Sequence, residues 1–140
     1  MKKKLFIGIL PPLLALGMAY ATQPIPHPIP QNCPSVAAIQ AVGVSMNAFQ
    51  DDDGLWFTGR RNQMYGTSSN WTLIVGGIAA SSSNDAFSKA TATLSGLRFA
   101  VGPVAGPLGK WLCYYQPVSN YAVVTVNPPI TMLNTAHPYV

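Results

Sequence analysis

Apolar residues recur along this chain at two spacings, and each spacing marks a different kind of element. After Asn32-Cys33-Pro34, residues Val36, Ile39 and Val42 fall on one face at helical spacing. This predicts a helix capped by Asn32 or Ser35, with proline in its first turn. Residues 44–50 then read as a strand, Asp53-Gly54 as a hairpin turn, and residues 55–60 as a second strand. A polar stretch, 62–70, leads to a third strand over 71–77. The Ser/Asn/Asp cluster at 81–85 is suited to a helix start, and Phe87, Ala90 and Leu94 follow at helical spacing. The second helix is expected over 84–95, with Gly96 as its C-terminal cap. Strands over 97–101, 110–116 and 121–126 follow, the first two separated by a Gly/Pro-rich loop at 102–109.

Short turns between consecutive strands favour antiparallel pairing. The fold class is therefore α+β: two helices packed on one face of a mainly antiparallel sheet of about six strands, in the order α-βββ-α-βββ. The two halves repeat the same element order, which suggests a duplicated unit.

Strand 110–116 carries more information than the others. Trp111, Cys113 and Tyr115 share one side; Leu112 and Tyr114 share the other. In strand 121–126, Ala122, Val124 and Val126 likewise oppose Tyr121, Val123 and Thr125. Both faces of this pair are largely apolar, whereas a half-solvated sheet alternates apolar with polar. If Cys113 is bridged toward the first helix, Trp111 belongs to the core. The opposite face is expected to be covered by the chain's tails, through Ile25, Ile29, Ile130 and Leu133, or to be a binding surface.

The N-terminus changes the setting. Lys2, Lys3 and Lys4 precede an apolar run over 5–18, and Ala19-Tyr20-Ala21 offers a small-x-small cleavage pattern. The run holds Pro11 and Pro12 and is short for a membrane span of about 20 residues. Residues 1–21 thus read as a signal peptide, and the mature protein as exported, periplasmic or extracellular, with no membrane span. Residues 22–31, with proline at every second position from Pro24 to Pro30, form a tether or a strap lying on the domain. The domain itself spans 32–127, and 128–140 is a C-terminal tail. In an exported chain, two cysteines predict one disulfide, Cys33–Cys113. Closing a loop of about eighty residues is worth about 4 kcal/mol.

Composition removes several function classes. Charged residues are 9% of the chain, against about 25% in an average domain. The net charge of +4 is set by the leader lysines; the rest holds five basic and four acidic residues, a net of +1. No basic stripe for nucleic acid exists. Acid–base chemistry has little to work with: Asp51, Asp52 and Asp53 sit at a turn, Asp85 at a helix start, and glutamate is absent. The aspartates lack the longer, Glu-terminated pattern of a calcium loop. No Gly-x-Ser-x-Gly elbow occurs, and Gly109-Lys110 lacks the rest of a phosphate loop. The expectation is a protein without catalytic residues, and an envelope hydrolase ranks last among the possibilities.

Haem asks for less: one His, Tyr or Met donor and an apolar slot. His27 and His137 are the two imidazoles, with Tyr65, Tyr139, Met46 and Met64 as further donors. Leu112, Tyr114 and Val124 could pack a porphyrin. The leader, the Asn32-Cys33-Pro34-Ser35-Val36 entry into a helix, and Trp111-Leu112-Cys113-Tyr114-Tyr115 together resemble a family of small exported proteins of Legionella-type bacteria, some labelled hemin-binding. The resemblance implies hemin as a ligand and no particular site. The functional expectation is a small exported binding protein with hemin as candidate ligand, cofactor contacts at His27, His137 and Tyr114, and no metal site. The alternative is a host- or envelope-directed protein-interaction module.

Overall fold

The computed structural model describes residues 27–45 and 48–130. The leader, Ile25, Leu133, His137, Tyr139 and Met46 lie outside the described residues. Helix α1 spans Val36–Val42. Ser35 is its cap rather than Asn32: the extended backbone there lets the hydroxyl accept from the Ala38 N–H at 3.1 Å. Helix α2 spans Ser83–Leu94, with Ser82 accepting from the Asp85 N–H. Its C-terminal cap is Ser95 in right-handed conformation, and not the expected Gly96.

The strands are β1 (Ala48–Gln50), β2 (Trp56–Gln63), β3 (Trp71–Ile78), β4 (Arg98–Ala105), β5 (Trp111–Gln116) and β6 (Ala122–Asn127). They form one antiparallel sheet in the order β1-β2-β3-β6-β5-β4. Each half of the chain is a three-stranded meander preceded by a helix, and the halves join through their last strands, β3 and β6. The element order expected from the hydrophobic pattern is thus the observed one, and the α+β class holds. The Asp53-Gly54 turn is held by the Asp51 carboxylate, which accepts from the Asp53 and Leu55 N–H groups at 2.9 Å each.

Three boundaries differ: β1 covers only Ala48–Gln50 of the strand expected over 44–50, β2 runs on to Gln63 instead of ending at Arg60, and β4 does not stop at Val101. The 102–109 stretch is not all loop, because β4 continues through Gly102 and Pro103 to Ala105. It does so as an irregular edge strand with two register shifts against β5. An edge strand tolerates proline, which has no N–H to give to a second neighbour. Gly102 takes φ 143, and a Cβ there would lie 2.8 Å from Cys113 Cα and 3.0 Å from Cys33 Sγ. Only glycine lets β4 pass this close to the disulfide.

Both helices cover one face. Ile39 from α1 and Ala86, Ala90 and Leu94 from α2 pack with Leu73, Val75, Val123, Cys113 and Tyr115. Burial of each large aliphatic side chain stabilises by about 1.5–3 kcal/mol. The other face has its own smaller cluster of Phe57, Ile74, Leu112, Val124, Val126 and Ile130. Among the described residues no helix is long and apolar enough to cross a membrane.

Candidate functional site

The helix side of β5 is a row of three anchors for the N-terminal strap. The Trp111 indole N–H donates to the His27 carbonyl at 2.7 Å. Cys113 is bonded to Cys33, with the Cα atoms 5.8 Å apart. The Tyr115 hydroxyl donates to the Pro34 carbonyl. Residues at i, i+2 and i+4 of one strand therefore hold positions 27, 33 and 34. This revises the reading of Trp111 as core: it is half-buried and serves the strap. Tyr115 is buried, and desolvation pushes its hydroxyl up to about 12. Phe99 of β4 meets its ring edge-on, with centroids 5.7 Å apart.

The other side of β5 grades from covered to open. A lateral row runs Ile74–Val124–Tyr114–Val101 across β3, β6, β5 and β4. Its members are 2%, 1%, 41% and 50% exposed in that order. The covered part is met by the chain's own C-terminal segment: Ile130 is buried in this cluster, and its N–H donates to Thr72 Oγ1 at 3.0 Å. Of the residues expected to cover this face, Ile130 does so and Ile29 does not, being 64% exposed. Beyond Val124 the sheet surface is open. Gln116 shares the Tyr114 side of β5 by alternation, and Arg98 stands opposite it on β4. The open patch thus combines one aliphatic side chain, one phenol, one carboxamide and one guanidinium.

The structure does not gather the candidate haem donors. His27 is exposed on the strap, docked through its backbone on Trp111, whose side of β5 faces away from Tyr114. His137 lies outside the described residues. Tyr65 is buried in the helix-side core, where desolvation raises its pKa, so it presents no ligand to solvent. Met64 is half-exposed in the β2–β3 loop, at the end where β5 begins. Tyr114 is the candidate that sits on an open apolar surface.

Two shallow cavities lie elsewhere. One of about 490 Å³ separates the end of α2 from the β5–β6 turn, with Thr93, Val118 and Tyr121 in its wall. One of about 290 Å³ lies beside Cys33, Phe99 and Pro103. Neither is lined by His27 or Tyr114. Among the described residues no cluster of three His, Cys, Asp or Glu side chains could hold a metal. Asp85 is engaged structurally: hydrogen bonding from the Ser81 N–H, then the Lys89 ammonium at 3.2 Å, hold its carboxyl below the usual range. The signal for the Val101–Tyr114–Arg98 patch was half present in the sequence. The apolar second side of β5 and β6 was visible; the irregular pairing that sets Val101 beside Tyr114 was not.

No curated protein and no solved structure matches the chain significantly. A family model, described as a domain of unknown function (DUF4949), matches residues 32–128. That span runs from the residue before the disulfide cysteine Cys33 to just past β6, and the chain belongs to this DUF4949 family.

Proposed function

We propose that this protein is an exported, non-enzymatic binding domain whose ligand is taken up on the open part of the second sheet face, with hemin as the candidate ligand. The observation that carries this is the fall in burial along one cross-strand row, from Val124 at 1% to Tyr114 at 41% and Val101 at 50%. A sheet surface that is apolar and left open after its neighbours are covered is suited to a flat apolar ligand. Tyrosinate is an established type of axial donor to ferric haem. Arg98 stands close enough in register to meet a propionate. The leader and the disulfide support export to the periplasm or beyond.

Hemin titration followed at the Soret band tests this. Saturable binding is expected, lost in Tyr114→Phe and retained in the double variant His27→Ala, His137→Ala. Loss in the histidine variant alone would move the ligand to the tails, and the absence of saturable binding would end the hemin reading.

The second reading is a protein-interaction module, and β4 favours it. This edge strand is exposed over its first four residues, with Phe99 on one side and Val101 on the other. An extended partner segment could pair along it. Binding of a partner that survives Tyr114→Phe and is lost in Val101→Lys would select this reading.

A further inference from the structure

The two ends of the sheet differ in charge and in apolar exposure. Trp111, Asn127 and Ala105 lie side by side at one end, with Thr72 and Val126 paired just inside it. The β2–β3 loop and the β4–β5 turn both open at this end, because Gln63 pairs with Trp71 and Ala105 with Trp111. Met64, 50% exposed, and Leu108, 61% exposed, stand on those two loops. Arg60 and Arg61 precede the first loop, and Lys110 closes the second.

The chain's four acidic residues are all at the other end. Asp51, Asp52 and Asp53 occupy the β1–β2 turn, where Gln50 pairs with Trp56 and Trp56 with Ile78. Asp85 lies in the first turn of α2, shortly after Ile78, and is paired there with Lys89. The first end therefore combines three cations, no acid, and two exposed aliphatic side chains.

Leu108 has a backbone cost as well. It holds φ 58, a left-handed conformation that suits glycine or asparagine and not leucine. Packing does not explain it, since the side chain is mostly in solvent. Both flanking segments meet the sheet at this end: His27 is docked on Trp111, and Ile130 is bonded to Thr72.

We propose that this end of the sheet docks on an anionic phospholipid surface, with Met64 and Leu108 entering the acyl boundary and Arg60, Arg61 and Lys110 facing the headgroups. Cations beside exposed apolar side chains are what an interfacial membrane contact requires. Docking by this end leaves the Val101–Tyr114 patch on the side of the sheet, clear of the lipid. The inference is independent of hemin binding.

Cosedimentation with phosphatidylglycerol vesicles, against pure phosphatidylcholine vesicles, tests it in the mature chain, residues 22–140, because the cationic apolar leader would bind anionic lipid by itself. Each cation near the surface is worth about fivefold in partitioning. Arg61→Gln with Lys110→Gln should therefore weaken binding about 25-fold, and 0.5 M salt should release the protein. Leu108→Gly separates docking from folding: it relieves the left-handed strain, so melting temperature should hold or rise while vesicle binding falls. Val118→Ser, at the opposite end and 89% exposed, should leave binding unchanged. Equal binding of the wild type and the Leu108→Gly, Arg61→Gln, Lys110→Gln variant would assign any lipid affinity to another segment and overturn the proposal. So would equal binding to both kinds of vesicle, or none to either. A soluble protein partner lost with these same substitutions, while vesicle binding is untouched, would assign this end to protein and also overturn it.

Discussion

On the helix side of β5, Trp111, Cys113 and Tyr115 are each tied to the N-terminal strap by an indole hydrogen bond, a disulfide and a phenol hydrogen bond. On its other side Leu112 is buried, while Tyr114 stands half in solvent beside Val101. Five consecutive residues thus serve two purposes by simple alternation. The difference teaches where stability and binding separate. Changes on the strap side should act on the fold, and changes on the open side should act on the ligand.

The largest way to break the strap side is to cut its covalent tie. Cys113→Ser removes a bridge across 80 residues of separation, worth about 4 kcal/mol. At this size the melting temperature should fall on the order of 15 °C, as thermal unfolding with and without reductant would show. Next comes Gly102→Ala, which forces a Cβ to within 2.8 Å of Cys113 Cα and into a left-handed φ. A loss of about 3 kcal/mol is expected, read from the denaturation midpoint.

The buried phenols give the strap side a pH signature. Tyr115 is raised to about 12 by burial, and Tyr65 is raised by the same cause. In the unfolded chain both ionise near 10. Their contribution is therefore fully present below pH 10 and is lost as pH rises above it, through about 12 for Tyr115 and higher still for Tyr65. A melting-temperature series over that window should fall steeply. In Tyr115→Phe the fall should be shallower, because the phenol that ionises on unfolding is gone. Trp111→Phe keeps an aromatic ring, though a smaller one, and removes one hydrogen bond to the strap, so a loss of about 1 kcal/mol or somewhat more is expected from the same unfolding assay. Smallest is Tyr114→Phe on the open side, within about 0.5 kcal/mol of wild type, although hemin binding should be lost. If Tyr114→Phe destabilises as much as Trp111→Phe, the contrast between the two sides fails.

Much of this arrangement was legible in the sequence because it depends on local rules. Alternation separated 111, 113 and 115 from 112 and 114. Two cysteines allow one pairing, and Asp53-Gly54 marks its turn. What was hidden depends on long-range register. The joining of β3 to β6 fixes the sheet order, yet no short-range signal encodes it. The second half of β4 reads as loop because Gly102 and Pro103 break strand patterns, and only its edge position reconciles them. Sharing a side of β5 with Cys113 points Trp111 toward the core, whereas the strap gives its indole N–H a partner. Tyr65 lies in the loop that the polar pattern predicts, and its burial comes from long-range packing into the helix-side core.

The claim that ligand binding belongs to the open side of β5 is tested most directly by paramagnetic broadening of amide resonances in the ¹⁵N-labelled protein during titration with ferric hemin. The account predicts that the amides of Val101, Tyr114 and Val124 broaden first and saturably, while those of Cys33 and Ile39 stay sharp. Broadening centred on His27 and Ile29, or a uniform non-saturating loss over the whole spectrum, would contradict it.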